Sequence, residues 1–358
     1  MPAMQLHWDI FCRVVDNYGD IGVCWRLARQ LSGVHQRRVR LWVDDLGSMR
    51  QLCPALDPQA AAQHLDGIEV RQWTTPFVVD RVADVVIEAF ACELPTSYLQ
   101  AMADLPKAPA WINLEYLTAE AWAESCHGVA SPHASLPLIK YFFFPGFSPA
   151  TGGLLREPGL PLTTEPATGE ISLFCYDNAP LGPWLEALAS APEPLRCLVS
   201  PGKPLTAVRA CLPGDGPWQV GAARIEPAPF LAQADYDALL RRCAINIVRG
   251  EDSFVRAQLA GRPFVWHIYP QDDDAHLDKL TAFLDRYTVG LETPAATAVR
   301  NIFLAWNTPL PPTKLTAAWQ DFLAHLPAID RHAREWQRHC MRLPELSASL
   351  VKFCVDAV

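Results

Sequence analysis

The sequence predicts an α/β protein built from two consecutive doubly wound domains. Three observations carry that expectation. Short apolar runs alternate with helix-periodic stretches through residues 8–144, and the alternation starts again through 171–267. The first run leads into a glycine-bearing polar turn and then a helix pattern, the opening unit of an open α/β sheet. The chain has 358 residues, more than a single hydrophobic core usually organises.

Taken in order, residues 8–15 (WDIFCRVV) form the first strand, broken by Asp9 and Arg13. The turn Asp16-Asn17-Tyr18-Gly19-Asp20 follows. Cys24, Leu27, Ala28 and Leu31 then recur at helical spacing, and Gly33 stands where the helix end calls for left-handed backbone. Residues 40–43, 68–73, 83–90, 110–117 and 141–144 read as further strands, with helices at 46–53 and 96–105. The apolar run 83–90 is of the kind found in buried parallel strands. From 145 to 169 the chain is rich in Gly, Pro and Thr, as a linker is. The second series has strands at 171–176, 195–199, 223–226, 244–248 and 263–267, and helices at 183–190, 203–211, 233–242 and 253–260. From about 275 the pattern is helical, with breaks at 309–312 and at Pro344. The expected division is an acceptor domain at 1–155, a linker at 156–168, a nucleotide-sugar domain at 169–335 and a terminal helix at 336–358 packing back on the first domain. Two Rossmann-like domains facing across a cleft, with a helical tail, match the GT-B architecture of glycosyltransferases, in which the donor sits on the second domain and the acceptor on the first.

Composition excludes several classes. A net charge of −9 and a pI near 5.6 argue against nucleic-acid binding, which needs a basic face. The eleven cysteines are scattered, form no C-x-x-C, and several sit inside apolar runs, as reduced cytoplasmic thiols do. His332, His339 and Cys340 lack metal-site spacing, so no metal is expected. No signal-peptide pattern opens the chain, and no apolar stretch reaches the roughly 20 residues that span a bilayer. A cytoplasmic protein without a membrane partner is expected.

Two stretches carry chemistry. In the first turn, Asp16 and Asp20 sit with Gly19 and Gly22, where backbone can approach a ligand and a helix start offers N–H donors. Ordinary turn formation alone also places Asp at such positions. In the second, NIVRGEDSF, a strand ends at Arg249-Gly250 and a helix starts near Asp252 or Ser253. Such a helix end can hold a pyrophosphate, Arg249 can neutralise it, and Glu251 can accept bonds from sugar or ribose hydroxyls. Plain N-capping by Asp252 or Ser253 is the alternative. Phe174 and Tyr176, after the second domain's first strand, could stack on a base and reach a phosphate; Phe230 and Gln233 could flank and bond a base. Each also suits core packing or capping.

Several motifs together, WDIFCRVVDNYGDIGVCWRLARQL, WINLEYL with Ala119-Glu120, KYFFFPGF, TGGLLRE and RGEDSFVRAQLAG, resemble the bacterial protein-arginine rhamnosyltransferases of the EarP family, which modify translation elongation factor P. The resemblance spans residues 6–290. It implies a GT-B fold, dTDP-β-L-rhamnose as donor, inversion at the anomeric carbon, no metal or other cofactor, and one arginine of elongation factor P as acceptor. It places the essential residues at Asp16, Asp20, Arg249 and Glu251. Nucleotide-sugar contacts fall on Gly19, Phe174, Tyr176, Phe230, Gln233, Glu251, Asp252 and Ser253. Asp20 is assigned as the base, Asp16 as holding the acceptor or the turn, and residues 111–116 as acceptor surface. A non-catalytic module for a translation protein, or a glycosyltransferase with another acceptor, are the competing readings. An NAD-dependent oxidoreductase is disfavoured because no G-x-G-x-x-G follows the first strand.

Overall fold

The computed structural model describes residues 6–16, 18–165 and 167–357. Asn17 of the first turn and Pro166 of the linker lie outside them. The chain forms two compact units, Met1–Leu160 with Leu343–Val358, and Pro161–Arg342.

The first unit runs β1 (His7–Cys12), α1 (Tyr18–Gly33), β2 (Arg38–Val43), α2 (Leu46–Leu52), β3 (Ala62–Leu65), β4 (Ile68–Gln72), β5 (Val85–Ala89), α3 (Thr96–Ala103), β6 (Ala110–Leu114), α4 (Trp122–Cys126), β7 (Ala130–Pro132) and β8 (Ile139–Phe143). Its sheet has the order β3-β4-β2-β1-β5-β6-β8-β7. The six inner strands are parallel, while β3 and β7 pair antiparallel at the edges. Numbered along the chain, the parallel strands lie 3-2-1-4-5-6, so the winding reverses between β1 and β5. The polar interruption of β1 has a local cause. Asp9 is fully buried, but its carboxylate takes Arg40 Nε (2.9 Å) and Nη2 (2.6 Å) and the Tyr98 hydroxyl (2.6 Å). The helical stripe Cys24, Leu27, Ala28 and Leu31 is wholly buried in the core against β1 and β2. Gly33 corrects its expectation: it is still helical, and the left-handed residue after α1 is Gln36 (φ 54°).

The second unit runs β9 (Glu170–Leu173), α5 (Leu181–Ala189), β10 (Leu195–Val199), α6 (Lys203–Cys211), β11 (Trp218–Val220), β12 (Ala223–Pro227), α7 (Gln233–Arg242), β13 (Ile245–Arg249), α8 (Asp252–Leu259), β14 (Phe264–His267), α9 (Ala275–Tyr287), α10 (Thr293–Asn307), α11 (Pro312–Ala324) and α12 (Leu326–Arg342). Its sheet order is β11-β12-β10-β9-β13-β14, with β11 antiparallel to β12 and the rest parallel. The parallel strands lie 3-2-1-4-5, and the reversal falls between β9 and β13.

The last helix, α13 (Leu346–Ala357), belongs to the first unit, where Leu346, Leu350 and Cys354 join the core. A backbone clasp fixes it: Leu154 N–H donates to Pro344 O and Leu346 N–H to Leu154 O, each 3.1 Å. Gly153 (φ +77°) permits the approach, since a Cβ there would stand 1.9 Å from Pro344 O. Among the described residues no helix is long and apolar enough to cross a membrane.

Candidate active site

Open α/β sheets bind ligands beyond the carboxyl ends of their strands, at the point where winding reverses. In the first unit that point follows β1 and β5, and Asp16 and Asp20 stand there. The helix starts earlier than the turn pattern suggests, at Tyr18, so Asp20 lies in its first turn. Asp20 is 2% exposed, and its carboxylate folds back on the chain. Oδ2 accepts the N–H groups of Val15 and Asp16, both at 2.9 Å, and Oδ1 accepts the Tyr116 hydroxyl at 3.1 Å. The carboxylate thereby serves N–H groups that precede the helix, much as a capping residue does. Asp16 is half-buried; its carbonyl takes Gly19 N–H (2.7 Å), and its carboxylate lies over Gly19, where a Cβ would come within 3.1 Å of Oδ2. A side chain at Gly19 would therefore press on this aspartate.

The aromatic residues around this turn come from β5 and β6. Phe90, directly after β5, lies flat on Tyr116, with centroids 4.4 Å apart and planes at 12°. Tyr116 follows β6, in the stretch 111–116 read as acceptor surface. Asn113 at the β6 end donates to Glu115 and accepts Ala91 N–H (3.2 Å).

In the second unit the reversal point brings together the ends of β9 and β13 and the start of α8. The buried Arg249 guanidinium lies over two rings, 4.6 Å from the centroids of both Phe174 and Tyr176, and Nη1 donates to Cys175 O (3.3 Å). Contact with two ring faces restrains a planar cation while leaving in-plane donors available. Gly250 (φ 63°) turns the chain, with its carbonyl held by Trp266 Nε1–H (2.9 Å). The N-capping alternative is corrected here. Glu251 occupies the cap position, but its side chain makes no capping bond to the helix, and the Ser253 hydroxyl instead accepts Arg249 N–H (3.1 Å) and donates to Arg249 O. Asp252 opens α8 and accepts from Gln233 Nε2 (3.4 Å), tying α7 to α8. Glu251 pairs with Lys279 Nζ (3.3 Å). Phe230 is 37% exposed, three residues before α7. The helix start, with N–H groups that have no partner inside the helix, and a fixed arginine beside it can hold a diphosphate.

Two participants carried no sequence signal. His267, ending β14, accepts Tyr176 N–H on Nδ1 (3.2 Å). Burial first, and Arg249 second, push its pKa down to about 3, so the imidazole stays neutral beside the guanidinium. Lys203, opening α6, stands 5.8 Å from the Tyr176 ring centroid. Cys175, between the two aromatic residues, is an unreactive thiol that burial pushes up to about 12. The sequence-derived site residues thus gather at two places, one in each unit.

Comparison with known proteins identifies a family. The family model for the Elongation-Factor P (EF-P) rhamnosyltransferase EarP matches residues 8–169 and 161–355. The protein-arginine rhamnosyltransferase of Pseudomonas aeruginosa is 48% identical over 98% of this chain and 99% of its own. That of Pseudomonas putida is 46% identical with the same coverage, and that of Shewanella oneidensis 38% identical over 97% of each. A solved structure described as the structural basis for EarP-mediated arginine glycosylation of translation elongation factor EF-P superposes with TM-score 0.66 at 33% identity, covering 99% of this chain and 100% of that one. The dTDP complex of the glycosyltransferase VinC shares the fold at TM-score 0.55 and 12% identity, covering 99% and 100%.

Proposed function

We propose that this chain, which belongs to the EarP family of elongation-factor P rhamnosyltransferases, moves L-rhamnose from dTDP-β-L-rhamnose to one arginine side chain of elongation factor P, with inversion. The observation that supports this reading is a division of labour at the two reversal points: carboxylates in one unit, and a diphosphate cradle with a fixed arginine in the other. In the cradle, Phe174, Tyr176, Phe230 and Gln233 receive the nucleoside. Arg249 and the α8 N–H groups receive the diphosphate, and Glu251 the sugar hydroxyls. These groups meet the leaving-group charge themselves, so no metal ion or other cofactor is assigned.

The chemical difficulty is the nucleophile. A guanidinium with a pKa above about 12 has no lone pair to offer at neutral pH. A carboxylate cannot deprotonate it beforehand to any useful extent, but it can orient it and take a proton as the C–N bond forms. That role falls to Asp20, whose bonded oxygens keep lone-pair capacity beyond three donors, with Asp16 and Gly19 shaping the turn and orienting the acceptor. The anomeric carbon carries oxocarbenium character as dTDP departs from the opposite face. Cytoplasmic location follows from a cytoplasmic acceptor. Incubation with dTDP-β-L-rhamnose and elongation factor P, followed by intact mass measurement of the latter, tests the reading. A single deoxyhexose increment supports it; unmodified acceptor in the presence of bound donor overturns it.

A further inference from the structure

The bond from Tyr116 to Asp20 is the last link of a chain of contacts that begins on β5. Directly after that strand, Phe90, Ala91 and Glu93 have φ of 57°, 52° and 56°, left-handed backbone that residues with side chains seldom hold. Three bonds keep them there. Phe90 N–H donates to Leu114 O (2.7 Å), Ala91 N–H to Asn113 Oδ1 (3.2 Å), and Glu93 N–H to Glu88 Oε1 (3.1 Å). Glu88 is itself buried, and its second oxygen takes Trp111 Nε1–H (3.0 Å) and Lys140 Nζ (3.4 Å). What this backbone delivers is the Phe90 ring, laid flat on Tyr116. Unusual backbone held so firmly beside a reaction site points to a task there.

We propose that Tyr116 is a positioning residue for Asp20, and that Phe90, presented by the left-handed loop after β5, sets the orientation of Tyr116. The proposal rests on the reading of Asp20 as the base. The terminal torsion of an aspartate is broad and roughly two-fold, so bonds to one oxygen alone leave the carboxylate plane free to rock. With Oδ2 held by Val15 and Asp16 and Oδ1 by Tyr116, the plane is pinned, and the remaining lone pair points in one direction. The flat stack in turn restrains the phenol ring at its half-exposed strand end.

The test compares steady-state rhamnosyl transfer by the full-length wild type, Tyr116→Phe, Phe90→Leu, Phe90→Tyr and the double variant Tyr116→Phe/Phe90→Leu. Tyr116→Phe and Phe90→Leu should each lower kcat by about tenfold or more, leaving KM for both substrates within about twofold. Phe90→Tyr, which keeps the stack, should restore kcat to within about twofold of wild type. The double variant should be no slower than Tyr116→Phe alone, because Phe90 acts through the hydroxyl already removed. Wild-type kcat in Tyr116→Phe, a loss confined to KM, or multiplicative losses in the double variant would each overturn the proposal. Tyr116→Phe keeps the ring and its stack, so it decides the matter even if Phe90→Leu fails to fold. A wild type that transfers no rhamnose would overturn the functional reading instead, so the two failures are distinct.

Discussion

Replacing Asp20 by asparagine separates what the carboxylate does for the chain from what it does for the reaction. The amide oxygen can keep the N–H groups of Val15 and Asp16, and the amide nitrogen can donate to the Tyr116 oxygen, so all three partners stay bonded. Two things are lost: a negative charge in the first turn of α1, worth about 0.3–1 kcal/mol, and the capacity to take a proton. General-base assistance of 10²–10⁴-fold corresponds to about 3–5 kcal/mol of barrier, at roughly 1.4 kcal/mol per decade. We therefore expect kcat to fall by about 10²–10⁴, with Tm lowered by no more than about 4 °C. Calorimetric titration with dTDP, which reads the other unit, should be unchanged. Asp20→Ala is the contrasting case, because it strands two N–H groups and a hydroxyl, each costing about 1–3 kcal/mol if dry. Val15 is exposed and Asp16 and Tyr116 half-buried, so water recovers part of this. The expected net loss is about 2–4 kcal/mol, a fall in Tm of roughly 5–15 °C. An Asp20→Asn enzyme turning over within about threefold of wild type would refute the base role.

Other variants probe the second unit and the scaffold. Ser253→Ala removes the hydroxyl that braces Arg249 and should raise the donor Kd about fivefold, the equivalent of about 1 kcal/mol, with a smaller effect on kcat; an unchanged titration removes Ser253 from the cradle. Arg40→Leu leaves the buried Asp9 carboxylate without its bidentate partner and should cost about 3–5 kcal/mol by urea unfolding, whereas a loss below about 1 kcal/mol would contradict that account of the core. Gly153→Ala drives a Cβ into Pro344 O and should release α13 to limited proteolysis before the remainder of the first unit. His267 has a folded pKa near 3 against about 6.5 unfolded, so between those values the unfolded chain binds the extra proton and stability rises with pH. His267→Gln should flatten that slope between about pH 4 and 6.5 in chemical unfolding; an unaltered slope would place the titration elsewhere.

Much of this was legible in the sequence because it is local. The Cys24–Leu31 stripe, the strand runs and the Arg249-Gly250-Glu251 turn are patterns of neighbouring residues, and the structure places them in α1, the sheets and the end of β13. The short antiparallel edges β3, β7 and β11 were not legible, since three or four residues with partly exposed side chains carry too little alternation. Gly33 misled because a glycine can end a helix but need not, and α1 runs through it. Asp252 and Ser253 looked like caps because their type permits it, while the hydroxyl found a nearer partner in Arg249. Tyr116 was visible only as part of an acceptor stretch. Its bond to Asp20 spans 96 residues, and its stack joins the ends of two different strands, a relation that only the order of strands in the sheet creates. His267 was silent for the same reason: β14 meets the end of β9 through the fold, not along the chain.

If the guanidine nitrogen attacks directly while a carboxylate accepts its proton and dTDP leaves from the far side, the configuration at the sugar must reverse. NMR of the rhamnosyl-arginine peptide, released by proteolysis after transfer from dTDP-β-L-rhamnose, reads that configuration at its anomeric carbon. An α-linked sugar is expected. A β-linked sugar would require a second displacement through a covalent enzyme intermediate, and would contradict direct attack assisted by Asp20.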